Sequence, residues 1–298
     1  MAQGPPNCIR LGRVLGIDVY LDYFWIAVPI YFFSAGAGKY SSPVWNVWEC
    51  IALFAIVLLH EFGHALATRQ VGGRADTIKL WPLGGVAYVD PPQRPGAELW
   101  SIAAGPLVNV VLLVIFTFIT GPFPNVSELY LSNEGRLLGE VWWINFGLLA
   151  FNLLPIYPLD GGQILRALLW FMFGRARSLF AAAVIGFVGV AWLAFKAISQ
   201  QSIWLGFITF YAFQNCRQGL AQAQALRRLE QMPRREEYTC PSCGAHPPVG
   251  AIWKCHKCQA AFDIFESQAE CPNCHEQFPA AVCVDCRKAF PLSEWRRG

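Results

Sequence analysis

The run His60-Glu61-Phe62-Gly63-His64 places two imidazoles and a carboxylate within five residues. On a helix, residues four apart share a face, so both rings can reach one metal ion while Glu61 beside them moves a proton. The run follows directly on the apolar stretch from Ala52 to Leu59. Burying two histidines and a glutamate near lipid is costly unless they are paired or metal-bound, and ionisable groups inside a span are functional by default. A catalytic zinc ion takes three protein ligands and a water. The other histidines, His246, His256 and His275, all lie near the C-terminus, so the third ligand is expected to be a carboxylate. Glu98, Glu140, Asp76 and Asp90 are available, and Asp160 is the best placed. It sits in Asn152-Leu153-Leu154-Pro155-Ile156-Tyr157-Pro158-Leu159-Asp160-Gly161-Gly162, where prolines break the helix and glycines let the backbone turn back. At membrane depth, such irregular backbone lines a cavity or is buried in protein. An ordinary helix cap for residues 163–173 is the competing reading of Asp160.

Eight of the 11 cysteines form four Cys-x-x-Cys pairs: Cys240/Cys243, Cys255/Cys258, Cys271/Cys274 and Cys283/Cys286. Two pairs fill one tetrahedral zinc site with no open position, so these sites are structural. The simplest pairing puts the first two pairs on one ion and the last two on another; an interleaved pairing of first with third and second with fourth remains open. Zinc-thiolate sites imply a reducing compartment, so this part is expected to face the cytosol.

The elements that must position these groups are membrane helices. Hydrophobic residues make up 55% of the 298 and charged residues 14%, against roughly 25% charged in a soluble domain. The expected fold is an all-α polytopic membrane protein of about six transmembrane helices, with a small cytosolic β-rich zinc-ribbon domain. Apolar segments fall at 22–37, 44–68, 98–120, 138–154, 179–197 and 202–216, after an amphipathic lead-in over 1–21, and a hairpin is expected around Leu80–Val89. The domains read as 1–216 in the membrane, a polar helical linker over 217–237, and the zinc-binding region over 238–298. No cleavable leader is evident. With the N-terminus inside, Arg10, Arg13, Arg69, Arg74, Lys79, Arg94, Arg166, Arg175, Arg177 and the arginines from Arg217 to Arg235 all lie inside. Only Lys39, Arg136 and Lys196 lie outside, so both termini are placed in the cytoplasm, with the cell membrane as the expected location.

HEFGH on one span with NLLPIYPLDGG after a later one resembles the site-2 protease family of intramembrane metalloproteases, whose pattern is HExxH with a distant NxxPxxPxxDG. Gly105-Pro106-Leu107-Val108-Asn109 and Pro82-Leu83-Gly84-Gly85 match further features of that family, and the resemblance covers about residues 8–216. It implies His60, His64 and Asp160 as ligands of one catalytic Zn2+, Glu61 as catalytic acid and base, and roles near the scissile peptide for Asn152 and Asn109. Taken by itself, Asn109 fits a hydrogen bond across helices better than a substrate contact, whereas Asn152, close in sequence to the candidate ligand Asp160, fits a substrate contact better. The cysteine region looks like a double zinc ribbon holding two structural ions.

The expected activity is hydrolysis of peptide bonds in or near transmembrane segments of membrane proteins, with those proteins and the lipid bilayer as partners. The segment to be cut must be extended, because a helix hides its carbonyls, and Leu80–Val89 is a candidate edge strand to hold it, or else a plain surface hairpin. The ribbon mixes Lys254, Lys257, Arg287 and Lys288 with Asp263, Glu266, Glu270, Glu276 and Asp285, which favours a regulatory protein over nucleic acid. The alternative is a proteolytically inactive scaffold that acts through its ribbon.

Overall fold

The computed structural model describes residues 7–35, 38–81, 84–124 and 131–295. The chain folds as two compact units, Met1–Leu220 and Ala221–Gly298.

The first unit opens with two strands, β1 (Cys8–Val14) and β2 (Ile17–Asp22), where an amphipathic lead-in is expected. Leu15 and Gly16, both at positive φ, form the two-residue turn that joins them, the geometry a tight hairpin needs. β3 (Arg74–Trp81) pairs parallel to β2, and β4 (Gly84–Asp90) pairs antiparallel to β3, giving the order β1-β2-β3-β4. The all-α reading therefore misses a four-stranded sheet, whereas the hairpin over 80–89 is present and begins earlier, at Arg74. Pro82 and Leu83 lie outside the described residues.

Ile17, Val19, Ile78 and Leu80 alternate onto one buried face. A bulge between Ala75 and Thr77 shifts the parity so that Ala75 joins them. They pack with Val57, Phe62 and Ala65 of α2 (Val44–Gln70). On the sheet, Lys79 bonds Asp22 at 2.7 Å. Asp22 also accepts the Phe24 N–H at 3.0 Å.

Among the described residues, three helices are long and apolar enough to cross a bilayer: α2, α3 (Pro95–Thr120) and α6 (Arg175–Ser199). α1 (Ala27–Ala35), in the first expected span, covers only about 13 Å at about 1.5 Å per residue. α4 (Asn133–Asn152) has 20 residues but a more polar start, capped by Ser132 Oγ accepting from Gly135 N–H. α5 (Asp160–Phe173) is short, and α7 (Ile203–Gln231) runs without a break through the expected boundary at 216/217. α2 stops where Gly72, at φ +84, turns the chain and Gly73 N–H bonds back to Thr68 O. α3 starts on Pro95, where the missing N–H does no harm, and ends at Gly121, at φ +80.

In the second unit each Cys-x-x-Cys pair is a small turn. The N–H of the first cysteine bonds the carbonyl five residues on, in Cys240 to Ala245, Cys255 to Ala260, Cys271 to Glu276 and Cys283 to Lys288. The residue after each second cysteine, Gly244, Gln259, His275 or Arg287, takes a positive φ. β5 (Trp253–Lys254) with β6 (Ala261–Phe262), and β7 (Ala281–Val282) with β8 (Ala289–Phe290), extend two of the turns into two-stranded sheets. α8 (Leu292–Trp295) brings Trp295 against Phe265 in the core.

Candidate metal centre and active site

His60 and His64 project from one face of α2, both buried, as the i, i+4 spacing requires. Their Nε2 atoms lie 3.1 Å apart. Asp160 Oδ2 lies 3.0 Å from His60 Nε2 and 3.5 Å from His64 Nε2. A tetrahedral ion with ligands at about 2.0 to 2.1 Å holds its donor atoms about 3.3 Å apart, so the three are spaced for one ion.

Hydrogen bonding on the far side of each ring sets the ring's orientation. His64 Nδ1 donates to Ser101 O at 2.9 Å, and His60 Nδ1 donates to Asn109 Oδ1 at 2.5 Å. With the proton on Nδ1, each Nε2 presents a lone pair inward. Asp160 Oδ2 is buried with no hydrogen-bond partner. Three lone pairs thus face one point, an arrangement that repels itself without a cation. The donor set suits zinc, with two imidazoles and one carboxylate.

Asp160 does not cap α5. The cap residue is Leu159, with no side-chain bond, and Asp160 is the first helical residue. Its approach depends on close backbone contacts. A Cβ at Gly161 would collide with Leu153 O, and one at Gly162 with the backbone of Ile156 and Tyr157. α5 is tied to α3 by Arg166, which bonds Glu98 at 2.6 Å with both side chains largely buried. Glu98, weighed as a ligand, is instead this partner. Glu140 pairs with Lys39 at 3.0 Å, and Asp76 is an exposed residue 3.5 Å from Arg69.

Glu61 is buried on α2, and its Oε2 accepts the Ala87 N–H of β4 at 2.8 Å. Gly85 and Gly105 leave room that no other residue would. A Cβ at Gly85 would collide with the Glu61 side chain, and one at Gly105 with both Nε2 atoms. Gly105 therefore leaves clear the space beside the two Nε2 atoms. Glu61, both histidines, Asp160 and Asn152 line a cavity of about 580 Å³, walled by apolar side chains such as Trp25, Leu53 and Ile208.

Asn109 is fully buried, with its amide engaged by His60 and by Asn145 of α4, so the cross-helix bond is what the structure shows. Three supporting groups are not singled out by the sequence reading: Asn145, the Ser101 carbonyl and the Ala87 N–H. The two backbone groups leave no mark on residue type. Asn145 is visible only as a polar residue on an apolar helix.

The cysteines form two clusters, paired differently from both expectations. Cys240 and Cys243 meet Cys283 and Cys286, while Cys255 and Cys258 meet Cys271 and Cys274, so the sites are nested. Sulfur separations are 3.7 and 3.8 Å in the outer site and 3.5 and 3.6 Å in the inner one. Sulfurs about 2.3 Å from a tetrahedral zinc lie about 3.8 Å apart, which fits. His256 and His275 contact Glu276 and Glu270 and are absent from both clusters.

The family model described as Peptidase family M50 matches residues 48–132 and 126–195. A zinc metalloprotease of Methanocaldococcus jannaschii is 35% identical over 178 residues, covering 60% of this chain and 50% of its own. Stage IV sporulation protein FB of Bacillus subtilis is 32% identical over 164 residues, covering 53% of this chain and 54% of its own. The chain thus spans about half the length of these curated relatives. Among solved structures, the site-2 protease from Methanocaldococcus jannaschii superposes with a TM-score of 0.54 at 29% identity, covering 72% of this chain and 95% of that one.

Proposed function

The chain belongs to peptidase family M50, and from that premise we propose that it is an intramembrane zinc endopeptidase that cuts peptide bonds in or near transmembrane segments. One observation carries this reading. His60, His64 and Asp160 converge from two distant stretches on one point, with Glu61 beside them on the wall of a single cavity.

Zinc, when bound, supplies Lewis acidity to an attacking water and to the scissile carbonyl. The protein's side chains do the rest. Glu61, tied at one oxygen by Ala87, offers the other to take the proton from the water and hand it to the leaving amine. Asn152, on the same cavity wall, offers an amide N–H to the carbonyl oxygen as charge develops there. The substrate must be extended, since a helix withholds its carbonyls, and β4 at the edge of the sheet is the strand we assign to hold it. The apolar walls suit uncharged side chains next to the cut.

We place the chain in the membrane with six crossings and both termini in the cytoplasm, on the distribution of arginine and lysine. His60 is then about 15 Å from the inner end of α2, at about 1.5 Å per residue, within reach of water from that side. We assign the ribbon to contact with a regulatory protein. The test is membrane proteomics of cells carrying the wild type or Glu61→Gln. The expected result is full-length or single-span substrates that accumulate only with the variant. Identical membrane proteomes would count against the proposal.

A further inference from the structure

Asn145 and Asn109 are both fully buried and bonded twice to one another. Asn109 Nδ2 donates to Asn145 Oδ1 at 2.8 Å, and Asn145 Nδ2 donates to Asn109 O at 2.9 Å. A carboxamide has one accepting end and one donating end, while a backbone carbonyl only accepts. The Asn109 carbonyl therefore fixes which end of Asn145 faces it. That leaves Asn145 Oδ1, which only accepts, facing the Asn109 side chain, so Asn109 must turn its Nδ2 there. Its Oδ1 is then left facing His60 Nδ1, 2.5 Å away. An oxygen at that place requires the His60 proton on Nδ1.

We infer that Asn145 is a positioning residue for the metal centre: by fixing the orientation of the Asn109 amide, it sets the tautomer that turns the lone pair of His60 Nε2 toward the ion. The inference rests on the reading of His60, His64 and Asp160 as a metal site. Without Asn145, the Asn109 amide has two orientations. One of them points an N–H at His60 Nδ1, moves the ring proton to Nε2 and removes a ligand. Asn145 lies seven residues, about two turns, before Asn152 on α4, so one helix supplies both the support of the metal site and an amide on the cavity wall.

The test uses the full chain with cobalt(II) in place of zinc. The ribbon sites give intense thiolate-to-cobalt charge-transfer bands. The difference spectrum between wild type and His60→Ala isolates the thiolate-free site, and titration with a chelator reads its affinity. Asn145→Leu is expected to weaken cobalt at this site by about 10- to 100-fold while the ribbon bands stay unchanged. Adding Asn109→Asp to Asn145→Leu is expected to restore binding, because either oxygen of a carboxylate accepts from Nδ1 and no orientation needs fixing. Asn145→Asp, buried and therefore expected to hold its proton, keeps both bonds, one oxygen accepting from Asn109 Nδ2 and the O–H donating to Asn109 O; it is expected to bind like the wild type, which covers the case in which Asn145→Leu fails to fold. A purely architectural role for Asn145 predicts no rescue by a second buried carboxylate. Wild-type affinity in Asn145→Leu, failure of the double variant, or loss in Asn145→Asp would each overturn the inference alone. No difference spectrum for His60→Ala would overturn the metal reading beneath it.

Discussion

Ala87 ties down one carboxylate oxygen of Glu61, and the proposed proton transfer falls to the other. Glu61→Gln keeps the shape of the side chain and cannot take a proton. Cleavage of a co-expressed membrane substrate is expected to fall by at least about 10²- to 10⁴-fold, with metal content and detergent stability unchanged. Undiminished cleavage would remove Glu61 from the mechanism. Gly105→Ala tests the room around the ion, because the added methyl would occupy space beside both Nε2 atoms. Its expected result is loss of one metal ion per chain, read by elemental analysis of the purified protein. The i, i+4 histidines were legible because helical spacing alone brings them together, and Asp160 was legible as the carboxylate next to a break in a membrane helix. Asn145 was not, because its role depends on Asn109, 36 residues away on another helix. A single polar side chain on an apolar segment does not reveal its partner.

At the scale of elements, α5 delivers the Asp160 carboxylate, and its hold on α3 runs through Arg166 and Glu98, with side chains 13% and 12% exposed. Breaking a buried ion pair by removing one partner costs about 3 to 5 kcal/mol. Arg166→Ala is therefore expected to lower thermal stability in detergent and to loosen the metal, while Glu98→Ala with Arg166→Met is expected to be milder than Arg166→Ala. Equal losses in the two would show that the charge pair is not what holds α5. The long helices α2, α3 and α6 were legible from continuous apolar runs, and β4 with the end of β3 as a hairpin in a Gly/Pro-rich stretch, while most of β3 was not. β1 and β2 were missed. The apolar face of β2, Ile17 and Val19, is a two-residue signal interrupted by Asp18, and it becomes a core only by pairing parallel with Ile78 and Leu80 across the intervening helices.

For the whole molecule, composition sufficed to read a membrane protein, whereas the number of crossings depends on how short helices such as α1 and α5 sit, which hydropathy does not record. The four cysteine pairs were legible and their partnership was not, because their spacers of 11, 12 and 8 residues are too similar to choose among pairings. The nested arrangement makes a distinct prediction. Cys240→Ser with Cys283→Ser strikes one site and is expected to release one zinc ion, whereas Cys240→Ser with Cys255→Ser strikes both and is expected to release two. Elemental analysis separates this from a sequential pairing, in which the losses would be reversed.

The zinc content of the purified full-length chain bears most directly on whether the two histidines of α2 and the first carboxylate of α5 share an ion. Three ions per chain are expected in the wild type, two from the nested cysteine sites and one from His60, His64 and Asp160, with the last alone missing in Asp160→Ala. Three ions in Asp160→Ala, or only the two cysteine-bound ions in the wild type, would contradict the account.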